Sequence, residues 1–303
     1  MLDLSIELAG MRLKNPVLAA SGTYGYGREY SNYYDPGLLG GIVVKGLSLN
    51  PQEGNPPPRI VETPCGMLNS IGLANVGIRD FLENYLPSLQ NIDTHIIANI
   101  YGKSLEEYVE VARSLEGHQK ISAIEVNISC PNVKKGGMLF GADPQSAFEV
   151  IEAVKRVYSR PVIAKLTPNV TDIISIAKAV EEAGADAVSL INTLRGMAVD
   201  IHNRRPKLGA IFGGLSGPAI RPVAVYMVYC VAQSVNIPVI GMGGIMKAED
   251  ALEFFIVGAK AVQVGTANFV NPYAAIKIIN GIRKYLSENN LNSIHDLIGT
   301  LKT

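Results

Sequence analysis

Val162-Ile-Ala-Lys-Leu-Thr-Pro-Asn-Val-Thr-Asp-Ile-Ile-Ser-Ile-Ala-Lys-Ala-Val-Glu-Glu-Ala-Gly-Ala-Asp-Ala-Val-Ser-Leu-Ile191 holds one complete structural unit. Two short apolar runs, Val162–Leu166 and Ala187–Ile191, flank a helical pattern over Asp172–Ala183. Runs of this length, rich in Val and Ile, suit strands covered on both faces. Thr171-Asp172 is a helix start signal, and Gly184 stands where the helix should stop. Strand, helix and strand within about thirty residues form the repeating unit of a parallel α/β fold.

The same alternation extends in both directions. Further strands are expected at Val17–Ala20, Ile42–Lys45, Ile96–Asn99, Ile124–Asn127, Val239–Gly241 and Ala261–Val264. Helices are expected at Val76–Leu89, Ser104–Leu115, Pro144–Tyr158, Pro222–Val235, Ala248–Val257 and Pro272–Ser287, with Asp143-Pro144 a second start signal and Gly258 a second stop. An opening hairpin, Ser5–Leu8 then Met11–Leu13, precedes them, and the Pro-rich stretch Asn55–Pro58 reads as a loop after the second strand. Eight strands alternating with helices and no linker indicate a single (β/α)8 barrel domain over residues 1–303, with an N-terminal hairpin and loop insertions at the C-terminal face. An open doubly wound sheet is the structural alternative.

Composition narrows the function classes. Of 303 residues 48% are apolar and 18% charged, and Lys plus Arg balances Asp plus Glu, so neither nucleic acid nor an anionic membrane is favoured as a partner. The longest apolar stretches, such as Val223–Ala232, fall far short of the roughly 20 residues of a membrane helix. The N-terminus has no basic-then-apolar leader pattern, and a cytoplasmic protein is the expectation. Cys65, Cys130 and Cys230 are too few for a four-cysteine iron–sulfur site and cannot form a complete disulfide framework. His95, His118, His202 and His295 fit no metal spacing, and no metal site is expected.

In a barrel, function collects where strands end and βα loops begin. Those positions carry Ser21-Gly22, Lys45-Gly46, Asn99, Asn127, Lys165, Asn192-Thr193, Gly243-Gly244 and Gly265-Thr266. Glycines ending strands seven and eight let backbone N–H groups approach an anion, which points to a phosphate site. Neither a GxGxxG fingerprint nor a P-loop occurs. Lys165, in an apolar run, needs a negative partner. A flavin isoalloxazine, anionic near N1 when reduced, would serve, and so would a carboxylate of the chain. Cys130, in the loop Asn127-Ile-Ser-Cys-Pro-Asn132, stands among polar neighbours where a thiolate base is feasible. Cys230 reads as helix packing, and Cys65, in a Pro-Cys-Gly turn, as a structural or pocket-wall residue.

Lys14-Asn-Pro-Val-Leu-Ala-Ala-Ser-Gly22, Asn69-Ser-Ile-Gly-Leu73, Asn127-Ile-Ser-Cys-Pro-Asn132 and the Gly243-Gly244 and Gly265-Thr266 pairs together resemble the dihydroorotate dehydrogenase family, in the same order and over essentially the whole chain. The membrane-bound class carries serine where this chain has Cys130. Lys134-Lys-Gly-Gly-Met-Leu-Phe-Gly-Ala-Asp143, and Gly46 followed by Leu47-Ser48, look like class 1B, the NAD-linked form. The resemblance implies FMN held by Ser21, Lys45, Gly46, Asn99, Asn127, Lys165, Ile191, Gly217, Gly243, Gly244, Gly265 and Thr266. It implies dihydroorotate held by Lys45, Asn69, Ser70, Ile71, Gly72, Leu73, Asn127, Asn192 and Thr193, with Cys130 as the base.

The implied reaction is oxidation of (S)-dihydroorotate to orotate in de novo pyrimidine (UMP) biosynthesis. The implied assembly is a heterotetramer, in which a dimer of this chain works with an iron–sulfur flavoprotein subunit carrying FAD and a [2Fe–2S] cluster. The alternatives are a fumarate-linked class 1A enzyme, a flavin-free phosphate-binding barrel and a non-catalytic scaffold barrel. A dihydropyrimidine dehydrogenase domain has a similar barrel and cysteine, but that family adds further domains that 303 residues cannot hold.

Overall fold

A computed structural model describes residues 2–129, 131–132 and 138–302, with the backbone alone at 131–132 and 138–139. Eight short strands form a closed, all-parallel barrel: β1 (Val17–Ala19), β2 (Gly41–Val43), β3 (His95–Ile100), β4 (Ile121–Asn127), β5 (Val162–Lys165), β6 (Ala187–Leu190), β7 (Val239–Met242) and β8 (Ala261–Val264). Each pairs with its neighbours in sequence, and β8 closes onto β1 through Val262↔Val17 to Val264↔Ala19. All eight expected strands are present, and closure excludes the open doubly wound sheet.

The strands are apolar because both faces are covered. β5, β6, β7 and β8 are buried at every position, and their outward side chains meet the surrounding helices. The helix Ile173–Glu182 shows how local signals set an element. The Asp172 carboxylate accepts from the Ile174 and Ser175 N–H groups, satisfying orphan donors of the first turn. Ile173, Ile176, Ala177 and Val180 form its buried stripe, and Gly184, at φ +90°, ends it.

The expected helix Val76–Leu89 is instead a change of winding. It runs α over Gly77–Asp80, π over Phe81–Tyr85 and 3-10 over Leu86–Leu89. Pro87 has no N–H to give, so the α ladder cannot continue through it. No helix among the described residues is long and apolar enough to cross a membrane.

The hairpin Ile6–Leu8/Met11–Leu13 lies at the N-terminal end of the barrel, where a ring nitrogen of His95, the first residue of β3, lies 3.0 Å from the Arg12 carbonyl. At the opposite end, four short antiparallel strands pair in the order Leu194–Gly196, Gly213–Ser216, Gly66–Asn69, Ile60–Thr63. They are the loop insertions expected at the C-terminal face, organised into a sheet that stands over the mouth of the barrel.

Candidate active site

One cavity of about 680 Å³ opens at the C-terminal ends of the barrel strands. Ser21, Lys45, Gly46, Asn69, Ser70, Ile71, Gly72, Leu73, Asn99, Asn127, Lys165, Ile191, Asn192, Thr193, Gly217, Gly243, Gly244, Gly265 and Thr266 all line it. Barrel closure gathers them, because each sits at or just past a strand end or on the sheet over the mouth. Cys130 lies outside the described residues; Ser129, its neighbour in sequence, lines the cavity.

Three parts of the lining differ in chemistry. The first is backbone. Gly243 and Gly244 follow β7 at φ +126° and +74°, a region that side chains rarely adopt. A Cβ on Gly244 would stand 2.7 Å from Arg221 Cβ and 2.9 Å from the Gly217 carbonyl. The loop is pinned from below: Asp250 accepts from the Met246 and Lys247 N–H groups and pairs with Arg221. Thr266 Oγ1 reaches Ser216 Oγ at 2.9 Å, joining the end of β8 to the mouth sheet.

The second part is an amide cluster. Asn192 Nδ2 donates toward Asn127 Oδ1 (3.4 Å) and Ser129 Oγ (3.2 Å), while Asn127 Oδ1 accepts from the Ser129 N–H at 3.2 Å. Tyr108 Oη donates to the Asn127 carbonyl at 2.7 Å and fixes this stretch from the helix side. Asn69 Nδ2 donates to the Gly214 carbonyl at 3.2 Å within the mouth sheet. Lys45 makes no ion pair among the described residues. Burial pushes its ammonium below the ordinary lysine range, and the Arg59 charge pushes the same way.

The third part is the floor. Lys165 pairs with Glu125 at 3.2 Å, with side-chain exposures of 7% and 0%. The partner that this lysine requires is therefore a carboxylate of the chain, although Lys165 still faces the cavity. Burial pushes the Glu125 carboxyl upward, but Lys165, Gln263, Ser189 and Asn99 together outweigh it and hold it below the usual range.

The dihydroorotate dehydrogenase family model matches residues 3–286. The chain belongs to the dihydroorotate dehydrogenase family. A relative named dihydroorotate dehydrogenase B (NAD(+)), catalytic subunit, from Geotalea daltonii is 57% identical, over 99% of this chain and 98% of its own. Proteins of the same name from Thermoanaerobacter pseudethanolicus and Desulforamulus reducens are 56% and 57% identical, covering 99% and 98% of this chain and 99% and 98% of theirs.

Several lining residues of this dihydroorotate dehydrogenase family member escape a reading of strand ends alone. Gln263 lies inside an apolar strand, one residue before its end, Ser129 lies in the loop that leads to Cys130, and Thr167 and Asn169 lie on a loop without a motif of its own. Glu125, two residues before the end of β4, is not in the lining but pairs with Lys165 beneath it. The two other cysteines stand apart. Cys65 is exposed at the hairpin turn between Ile60–Thr63 and Gly66–Asn69 and does not line the cavity, which tells against a pocket-wall role. Cys230 is only half-buried in the helix Arg221–Ala232, where the expectation was packing. No histidine lines the cavity among the described residues.

Proposed function

We propose that this chain oxidises (S)-dihydroorotate to orotate with FMN bound in the barrel mouth, electrons then leaving through an iron–sulfur flavoprotein subunit to NAD. The observation that carries this reading is the cavity itself: every described residue expected to hold flavin or substrate lines one space. Its volume, about 680 Å³, falls within the range of small-molecule and cofactor sites.

The residues present fit a flavin mononucleotide. The crowded backbone at Gly217, Gly243 and Gly244 is a cradle that a Cβ would fill, suited to a phosphate, and Gly265 and Thr266 complete it. Ala20, Ile191 and Met242 offer apolar wall to a planar ring. Lys165 brings a cation to the floor, and the buried Gln263 carbonyl Oε1 has no partner among the described residues. When bound, the flavin supplies a two-electron acceptor for the hydride that leaves C6 of the substrate.

The chain supplies the rest. Asn69, Asn127 and Asn192 present paired donors and acceptors suited to the amide and imide edges of a cyclic ureide. Lys45, without a carboxylate partner among the described residues, meets the substrate carboxylate. Cys130 as thiolate takes the C5 proton, so that loss of the C5 proton and the C6 hydride leaves the C5=C6 double bond of orotate.

The test is single-turnover reduction of bound flavin by dihydroorotate. Cys130→Ala should retain FMN and bind orotate but lose at least roughly 100-fold in this rate. Cys130→Ser should be slow and recover toward higher pH, because a hydroxyl ionises less readily than a thiol. Near-wild-type reduction by the alanine variant would remove the base assignment.

A further inference from the structure

Glu125 is the most completely buried charge described in the molecule, and four strands converge on it. Asn99 Nδ2 (2.6 Å) and Lys165 Nζ (3.2 Å) donate to its Oε2. Ser189 Oγ (2.9 Å) and Gln263 Nε2 (2.6 Å) donate to its Oε1. The donors come from β3, β5, β6 and β8, so both carboxylate oxygens are saturated from around the barrel. Three of them, Asn99, Lys165 and Gln263, also line the cavity floor.

An ionised carboxylate accepts only, so it dictates how each neighbour is turned. The Gln263 amide must present Nε2 to Glu125, because the opposite orientation would set its carbonyl oxygen against a negative oxygen. Oε1 is therefore turned away from Glu125. It belongs to a residue only 1% exposed, and it has no hydrogen-bond partner among the described residues. A buried carbonyl left unpaired carries a desolvation penalty that a ligand N–H can relieve. Lys165 has three donors and makes one hydrogen bond among the described residues, to Glu125.

We infer that Glu125 is a positioning residue that holds Lys165 Nζ beneath the flavin site and turns the Gln263 amide so that Oε1 accepts a hydrogen bond from an N–H of the bound flavin ring. The inference rests on the FMN reading above. An imide N–H flanked by carbonyls is common to the flavin ring and to orotate, so the experiment must separate the two ligands.

The full chain stripped of FMN is titrated with FMN by fluorescence quenching. The reloaded protein is titrated with orotate and poised against redox dyes. Gln263→Met, close in size but without the amide, should weaken FMN binding about tenfold, the scale of one hydrogen bond, and leave orotate affinity of the loaded protein within about twofold. Glu125→Gln removes the negative charge beside Lys165, so the flavin midpoint potential should rise. A carboxylate with only a packing role would lose flavin without that shift. Glu125→Asp keeps the charge but retracts it by one methylene, so the potential should stay near wild type while FMN affinity falls several-fold. FMN affinity unchanged in Gln263→Met, or orotate affinity lost in place of it, would overturn the acceptor role. A potential unchanged or lowered in Glu125→Gln would overturn the positioning role. If Glu125→Gln does not fold, the aspartate variant decides: a potential displaced as far as its affinity counts against the inference. Wild-type chain that takes up no FMN would instead refute the proposed function.

Discussion

Gly244 is a position where a single added carbon would disturb the site. Its φ of +74° disfavours any side chain, and the nearest atoms to an added Cβ include two backbone atoms, Arg221 N and the Gly217 carbonyl oxygen, each at 2.9 Å. Gly244→Val should therefore distort the cradle and yield mainly colourless protein, read as visible absorbance per chain; full flavin occupancy would place the phosphate elsewhere. Lys45 offers a second measurement at this scale. Its pKa is lowered by burial and by Arg59, so its positive charge disappears at a lower pH than that of an ordinary lysine. Orotate affinity of the flavin-loaded chain should then fall as pH rises through that lowered pKa, because the ammonium needed for the carboxylate is being lost. Lys45→Gln should weaken binding roughly 10- to 100-fold at neutral pH, the scale of a hydrogen bond to a charged group, and flatten the alkaline limb. A wild-type profile flat up to the ordinary lysine range would count against this role.

Elements divide sharply in how far the sequence reveals them. Barrel strands are covered on both faces, so Val162–Lys165 or Ala261–Val264 stand out as unbroken apolar runs. The mouth sheet has no such signature. Gly213-Gly-Leu-Ser216 is glycine-rich and half-buried, and it pairs with Gly66–Asn69 across a large separation in sequence, so neither composition nor spacing marks it. The floor of the site behaves in the same way. Lys165 announces its need for a negative partner, but the identity of Glu125, and the reach of Gln263 to it from 138 positions away, exist only once β8 closes the barrel. Helix signals, by contrast, are local and legible. Asp172→Ala should remove the cap on the Ile173–Glu182 helix and lower stability by about 1 kcal/mol in urea denaturation. FMN affinity should be unaffected, because Asp172 does not line the cavity. A loss of flavin in this variant would mean that the helix and the site are coupled.

For the whole molecule, the question is where two electrons go after each turnover. The sequence has no GxGxxG fingerprint for a nicotinamide and only three cysteines, too few for an iron–sulfur cluster. On the proposed function, electrons bound for NAD leave this chain through another protein, and the relatives above carry the name of a catalytic subunit. The partner we propose is an iron–sulfur flavoprotein with FAD and a [2Fe–2S] cluster, joined to a dimer of this chain as a heterotetramer. Purified alone, the chain should oxidise dihydroorotate with artificial acceptors but reduce NAD at least tenfold more slowly. Adding the partner should restore NAD reduction while leaving the rate of flavin reduction by dihydroorotate unchanged, because the proposed base, Cys130, and the amide cluster both belong to this chain. The competing arrangement passes electrons to fumarate at the same mouth and needs no partner. Steady-state assays of the lone chain with NAD and, separately, with fumarate distinguish them. Efficient fumarate reduction without a second protein would defeat the NAD-linked assembly and leave the barrel, the flavin site and the base untouched. Efficient NAD reduction by the lone chain would require a nicotinamide site that nothing in its sequence motifs provides.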